Sequence, residues 1–219
     1  MIVTAVGRKP KRRGRLDVYV DGVPAFDVSR ATARAHELRP GRPIDAAAIA
    51  AIVADDCRRA ALGAAVALLA RRPRSEREVR RRLRERRFDA GVADDTVERL
   101  RALRLLDDAE FARSWTGMRD SQSPRSRRLL VQELRARGVD ATVARDATSD
   151  VLDADAAYRL ASRRMRSLAP LDDATFRARL AGLLQRRGFS WSVVAATVER
   201  CRDELGRPSS AEDDPRDML

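Results

Sequence analysis

Hydrophobic positions in this chain follow two different periods. Near the start they alternate with polar ones: Ile2-Val3-Thr4-Ala5-Val6 is a short β-prone run, and Leu16, Val18 and Val20 alternate with Asp17, Tyr19 and Asp21. Asp21-Gly22 supplies a turn that tolerates positive φ, and Pro24-Ala25-Phe26-Asp27-Val28 returns as the second arm. Two or three short strands are not stable alone in water, so this module must pack on the helix that follows. Ser29 is a candidate N-cap for a short helix ending near Leu38, where Arg39-Pro40-Gly41-Arg42-Pro43 breaks the chain.

From Asp45 onward the period is helical. Ile49, Ile52, Val53, Leu62, Val66 and Leu69 give one long apolar-faced helix, or two joined near Asp55-Asp56, before Pro73 interrupts. Ser75 with Glu78, and Asp107 with Glu110, have capping-box spacing, so Asp107 and Asp108 belong to a helix start and not to a pair of catalytic carboxylates. Ser123-Pro124 is expected to start another helix with proline at its first position, and Gly138 and Gly188 fall where helices should end in a left-handed residue. Phe111 and Trp115, spaced i and i+4, are expected to pack in a core. Trp191 has two readings, a surface anchor on a partner or a cover over the junction with the preceding unit.

A longer period lies over the helical one. Marker leucines stand at Leu83, Leu134 and Leu184, spaced by 51 and 50 residues. Each is followed five residues later by Phe88, Val139 or Phe189, four further on by Val92, Val143 or Val193, and finally by Leu100, Val151 or Cys201. Thr96-Val97-Glu98-Arg99 returns intact as Thr197-Val198-Glu199-Arg200. The expected fold is mainly α: a tandem array of three three-helix repeats preceded by a small β-hairpin and helix module. The expected boundaries are 1–56 for the strand and helix module, 57–105, 106–152 and 153–205 for the repeats, and 206–219 for an acidic, disordered tail.

Composition narrows the function. The 219 residues are 36% charged and only 4% aromatic, so each repeat has a thin core of Leu, Val and Ala. Cys57 and Cys201 are isolated thiols and His36 is the single histidine, an ordinary helix-surface residue on this reading. That inventory excludes a zinc site, nucleophilic triads and phosphate loops, and predicts a non-enzyme without cofactors. No run of 18 apolar residues and no secretory signal is present, which predicts a cytoplasmic chain that does not engage membranes.

The formal charge is +12, and it is unevenly placed. Arg71 to Arg87 holds ten arginines against three glutamates, Arg8 to Arg15 adds six cations, and the stretch from Asp203 to the end is acidic. A polyanionic partner follows, nucleic acid or an acidic protein surface. Candidate contact residues are Arg71, Arg72, Arg74, Arg80, Arg81 and Arg84, then Arg119, Arg125, Arg127, Arg128 and Arg135. The positive charge of Arg125, Arg127 and Arg128 at a helix start opposes the helix dipole, a local cost that favours a binding role. The helix at 75–87 offers almost only arginine outward, so its contacts to DNA would be to phosphates and blind to sequence. The acidic residues 212–217 are expected to fold back over the basic face.

These residues carry a resemblance. Leu69-Ala70-Arg71-Arg72-Pro73-Arg74-Ser75-Glu76 followed by Leu83 and Phe88, then Leu105-Leu106-Asp107-Asp108-Ala109-Glu110-Phe111-Ala112-Arg113-Ser114-Trp115, then Gln132-Glu133-Leu134-Arg135-Ala136-Arg137-Gly138-Val139 make residues 57–205 similar to the RecX family, bacterial regulators of the RecA recombinase. Arg87 stands where that family usually has glycine, and Ser121-Gln122-Ser123 replaces a glycine or basic residue before Pro124. The resemblance implies a monomeric negative regulator that binds in the groove of the RecA filament on single-stranded DNA. Bound there it would inhibit ATPase, strand exchange and filament growth, with weak non-specific contacts to single- or double-stranded DNA. The alternative is a stand-alone, non-specific DNA-binding helical-repeat protein.

Overall fold

The computed structural model describes residues 1–8 and 14–207. The acidic tail and most of the basic segment after Arg8 lie outside the described residues. The chain forms two compact units, Met1–Leu106 and Asp107–Leu219.

In the first unit, strands β1 (Val3–Arg8), β2 (Arg15–Val20) and β3 (Val23–Ser29) form an antiparallel sheet in the order β1-β2-β3. Asp21 and Gly22 both take positive φ, 50° and 85°, which is what a two-residue hairpin turn with matching twist requires. The alternation puts Val18 and Val20 in the core, together with Val3 and Val28. Ser29 ends the sheet and caps α1 (Arg30–Ala35), its hydroxyl accepting from the Thr32 amide.

Asp45 caps α2 (Ala46–Leu69), a single uninterrupted helix of 24 residues. It serves two cores: Ile52 and Ile49 pack against the sheet, whereas Ala61, Leu62 and Ala65 pack into the first repeat. Between them, Asp55 and Asp56 are not a break. Asp56 is buried, and its Oδ1 accepts from the Ser29 amide at 2.8 Å and the Thr32 hydroxyl at 2.7 Å, while Oδ2 meets Arg15 at 3.0 Å. Burial works to raise this carboxyl's pKa, but the hydrogen bonds from Thr32 and Ser29 with the charge of Arg15 hold it below the usual range. His36 is the C-cap residue of α1, half-buried and bonded through Nε2 to Asp55 at 3.0 Å, so it ties α1 to α2 and is not a bare surface residue.

The first repeat is completed by α3 (Glu76–Glu85), capped by Ser75, and α4 (Ala90–Ala102). In the second unit, the middle repeat holds α5 (Asp108–Gln122), α6 (Arg127–Ala136) and α7 (Ala141–Asp146), and the third holds α8 (Asp153–Leu168), α9 (Asp173–Arg186) and α10 (Trp191–Glu204). Asp107 caps α5 through the amides of Ala109 and Glu110. The start of α6 differs from expectation: Ser126 is the N-cap, accepting from the Leu129 amide, and Pro124 is buried in the preceding loop. Pro124 closes the previous turn and does not open the helix, because the hydroxyl two residues later satisfies the free amides better.

The five-residue spacing after each marker leucine has a structural cause. Leu83, Leu134 and Leu184 are fully buried, and the carbonyl of each accepts from the amide of Phe88, Val139 or Phe189. The residues between, Arg87, Gly138 and Gly188, adopt φ of 65°, 93° and 84° and donate to the carbonyls of Arg84, Arg135 and Gln185. This is a Schellman motif, whose apolar residue past the turn folds back on the last helical turn. The middle repeat departs at its end. α7 stops after six residues, leaving Val151 beyond it, and Thr148, aligned with Val97 and Val198, is buried with its hydroxyl donating to the Ala144 carbonyl at 2.9 Å.

Candidate partner-binding surfaces

The arginines of α3 divide by what they meet. Arg74 keeps only 10% of its side chain exposed, and its Nε donates to the Leu68 carbonyl at 3.2 Å. Burial, followed by the charge of Arg72, pulls its pKa down. Arg72 reaches the buried Glu78 at 3.0 Å. Arg80 joins α3 to α4 through Glu76 at 3.2 Å and Asp94 at 2.9 Å. These three are held by the repeat's own packing. Arg81 and Arg84 project outward, 63% and 55% exposed, with only loose approaches to Glu85 at 3.6 Å and Asp94 at 4.0 Å. Arg71 is exposed without an acidic partner among the described residues.

In the middle repeat a single carboxylate gathers the cations. Glu133 Oε2 accepts from the Trp115 indole and from Arg119 Nε, each at 3.0 Å, and Oε1 accepts from Arg125. The Trp115 ring carries the guanidinium of Arg119 at 4.4 Å and that of Arg137 at 3.7 Å from its centre, and Phe111 lies 6.1 Å away. Trp115 thus packs as expected, with a polar handle in addition. The pKa of Arg125 is drawn down by burial and by the nearby charges of Arg119 and Arg187. Arg127, Arg128 and Arg135 are exposed and have no carboxylate at ion-pair distance among the described residues. The Arg127 amide donates to Asp153 Oδ1 at 2.7 Å, which supplies the negative charge that the first turn of α6 lacks.

Sequence reasoning missed Glu133 and Arg137 as parts of this network. The signal was present, since Glu133 is the lone acid between Arg125 and Arg137. It also missed Arg202, whose side chain is 3% exposed and joins Asp173 at 3.0 Å and Glu199. Trp191 stands on the surface at 68% exposure, beside a groove of about 640 Å³ floored by Ala174, Ala178, Ala181, Val194, Ala195 and Val198. It does not cover the junction between the middle and third repeats. That junction is made by the turn at Gly188, where an added Cβ would lie 2.7 Å from Ser126 Oγ and 2.9 Å from Leu129 Cβ. There the Ser126 amide also donates to the Arg187 carbonyl at 3.0 Å.

Among the described residues no cluster of metal-ligating side chains occurs, and no helix is long and apolar enough to cross a membrane. Cys57 and Cys201 are free thiols, and burial raises Cys201 to a pKa of about 11. A buried neutral thiol of this kind is packing, not a nucleophile.

Three family models match the helical repeats: "RecX, first three-helix domain" over residues 61–100, "RecX, second three-helix domain" over 107–147 and "RecX, third three-helix domain" over 152–198. The chain is 34% identical over 150 residues to the "Regulatory protein RecX" of Amycolatopsis mediterranei, covering 67% of this chain and 86% of that relative. It is 25% identical over 205 residues to the protein of the same name from Bacillus subtilis, covering 92% and 78%. Among solved structures, "Crystal structure of regulatory protein RecX" aligns with a TM-score of 0.66 at 24% identity over 90% of this chain and 98% of that one. The RecX from Lactobacillus salivarius aligns with a TM-score of 0.59 at 19% identity, over 67% and 97%.

Proposed function

Because this chain belongs to the RecX family, we propose that it regulates the RecA recombinase as a cytoplasmic, monomeric non-enzyme, lying in the groove of the RecA filament on single-stranded DNA and lowering ATP hydrolysis, strand exchange and filament growth. The observation that carries this reading is the set of outward arginines that the fold leaves without strong internal partners: Arg71, Arg81 and Arg84 beside and along α3, and Arg127, Arg128 and Arg135 on α6. Arg127 and Arg128 occupy the start of α6, where Asp153 meets the Arg127 amide while neither guanidinium has a carboxylate at ion-pair distance among the described residues, so both remain available to an external anion. Guanidinium groups suit both carboxylates of a protein groove and DNA phosphates, because their planar forks bind either in two-point fashion. Arg74, Arg80, Arg119 and Arg125 contribute by holding the repeats in shape, since their guanidinium groups are engaged inside them.

The test is the steady-state ATPase of the cognate RecA on single-stranded DNA, titrated with this protein. Inhibition well below one copy per recombinase protomer, lost in the variant Arg81→Glu/Arg84→Glu/Arg127→Glu/Arg128→Glu, is expected. Absence of inhibition at excess protein, with salt-sensitive DNA binding intact, would overturn the reading in favour of a plain DNA-binding helical-repeat protein.

A further inference from the structure

The amino-terminal module holds a cationic hollow outside the three helical repeats. Arg30 and Arg34 of α1 and Arg39 just beyond it line a hollow of about 600 Å³, whose apolar part comes from Leu16 of β2 and the buried Leu38, and whose sole acid is Glu37. All three arginines are exposed, and among the described residues none has a carboxylate at ion-pair distance. The first unit elsewhere pairs helix arginines with acids one turn away, as in Arg59 with Asp55 at 2.7 Å and Arg80 with Glu76 at 3.2 Å. Here the residue one turn from Arg30 is instead another arginine. Like charges at that spacing weaken a helix, and α1 has only six residues and no acid in its first turn to offset them. The Arg30 amide donates to the Gly14 carbonyl at 3.1 Å, which ties the start of α1 to the start of β2.

We propose that this hollow binds single-stranded nucleic acid, with backbone phosphates between Arg30, Arg34 and Arg39 and an unstacked base over the half-buried Leu16. The hollow is shallow and open, and its apolar floor between the arginines selects this partner. A duplex presents phosphates on a convex rod with its bases stacked inside, so it leaves the floor empty; the carboxylate of an acidic protein uses the arginines alone. A single strand offers both the charge and the free base face, and guanidinium planes stack on such bases as well as pairing with phosphates. Contacts of this kind are blind to sequence and fall steeply with salt.

The experiment measures anisotropy of a fluorescent oligothymidine titrated with the full chain, without recombinase, over a salt series. Arg30→Gln/Arg34→Gln/Arg39→Gln should weaken binding about ten-fold and flatten the slope of log affinity against log salt by about 2, from roughly 0.7 per lost phosphate contact on a single strand. Glu37→Gln, which removes the only acid in the hollow, should tighten binding a few-fold. Circular dichroism melting should show both variants folded and no less stable than the parent, since none of the four side chains is buried and the triple variant removes a like-charge pair from α1. Unchanged affinity and slope in the triple variant overturn the proposal, as does a fall in affinity accompanied by a lost fold. Equal affinity for duplex removes the assignment to single strands, and competition by polyglutamate as strong as by unlabelled oligothymidine transfers the hollow to an acidic protein surface. The recombinase ATPase, measured separately, decides the regulator reading whichever way this titration falls.

Discussion

The turn after α3 and the turn after α9 have the same backbone and different residues. Both are Schellman motifs in which the amide of a phenylalanine, Phe88 or Phe189, closes on the carbonyl of a buried leucine, Leu83 or Leu184. The left-handed residue between is Arg87 in one, exposed to solvent, and Gly188 in the other, pressed against Ser126 and Leu129 of α6. An arginine can take positive φ at a cost; it cannot do so where another repeat occupies the space of its side chain. The motif itself is thus local, whereas at Gly188 the packing of α6 on the turn leaves no room for a side chain.

The largest effect should fall on what the two turns share. Leu83→Ala and Leu184→Ala each remove a fully buried side chain and should each cost about 3 kcal/mol in urea unfolding; a cost under about 1 kcal/mol in one repeat would show that the leucines are not equivalent. Next comes the point of difference. Gly188→Ala should cost about 2 kcal/mol, combining a left-handed alanine with crowding of Ser126 and Leu129. A loss no greater than the few tenths expected of an exposed site would mean the α6 contact does not hold in solution. Arg87→Gly should move the other way, stabilising the first unit by about 0.5 to 1 kcal/mol, because glycine relieves the strained φ of 65° with nothing packed against it.

The smallest effect separates the closing residues. Leu100 ends the first repeat's core, and its counterpart in the third is Cys201, whose thiol pKa rises from 9.0 to about 11 on burial. The folded state keeps this proton where the unfolded chain loses it. Its stabilising contribution is therefore complete below about pH 9 and is lost as pH climbs towards about 11. Melts of the parent and of Cys201→Ala across that range should converge as pH rises, and iodoacetamide should label the half-buried Cys57 well before Cys201. Equal labelling of both thiols would contradict the buried position.

Much of the site-bearing architecture was legible beforehand. The alternation of Leu16, Val18 and Val20, the caps at Ser29, Ser75 and Asp107, and the left-handed glycines all describe interactions within a few residues, and each recurs in the fold. The start of α6 was misplaced because two local signals competed, proline at 124 and serine at 126, and the Ser126 hydroxyl, which caps the Leu129 amide, prevails. Likewise the aspartates within α2 resemble a break in a linear reading, yet Asp56 meets Ser29, Thr32 and Arg15, which lie 24 to 41 residues away.

The repeat, most of the helices and the Schellman turns were legible in the sequence, because hydrophobic period, capping and Schellman spacing are short-range and each is satisfied inside one segment. The sequence also settled the excess of positive charge. Tertiary structure alone decided where that charge is available. Arg74 and Arg81 are indistinguishable as letters in a basic run, but one is buried against the Leu68 carbonyl and the other projects into solvent. Arg119 and Arg125 belong to Glu133, while Arg127 and Arg128 belong to no carboxylate among the described residues. A guanidinium is silenced by an acid or carbonyl brought to within about 3 Å, and those partners come from other turns and other helices.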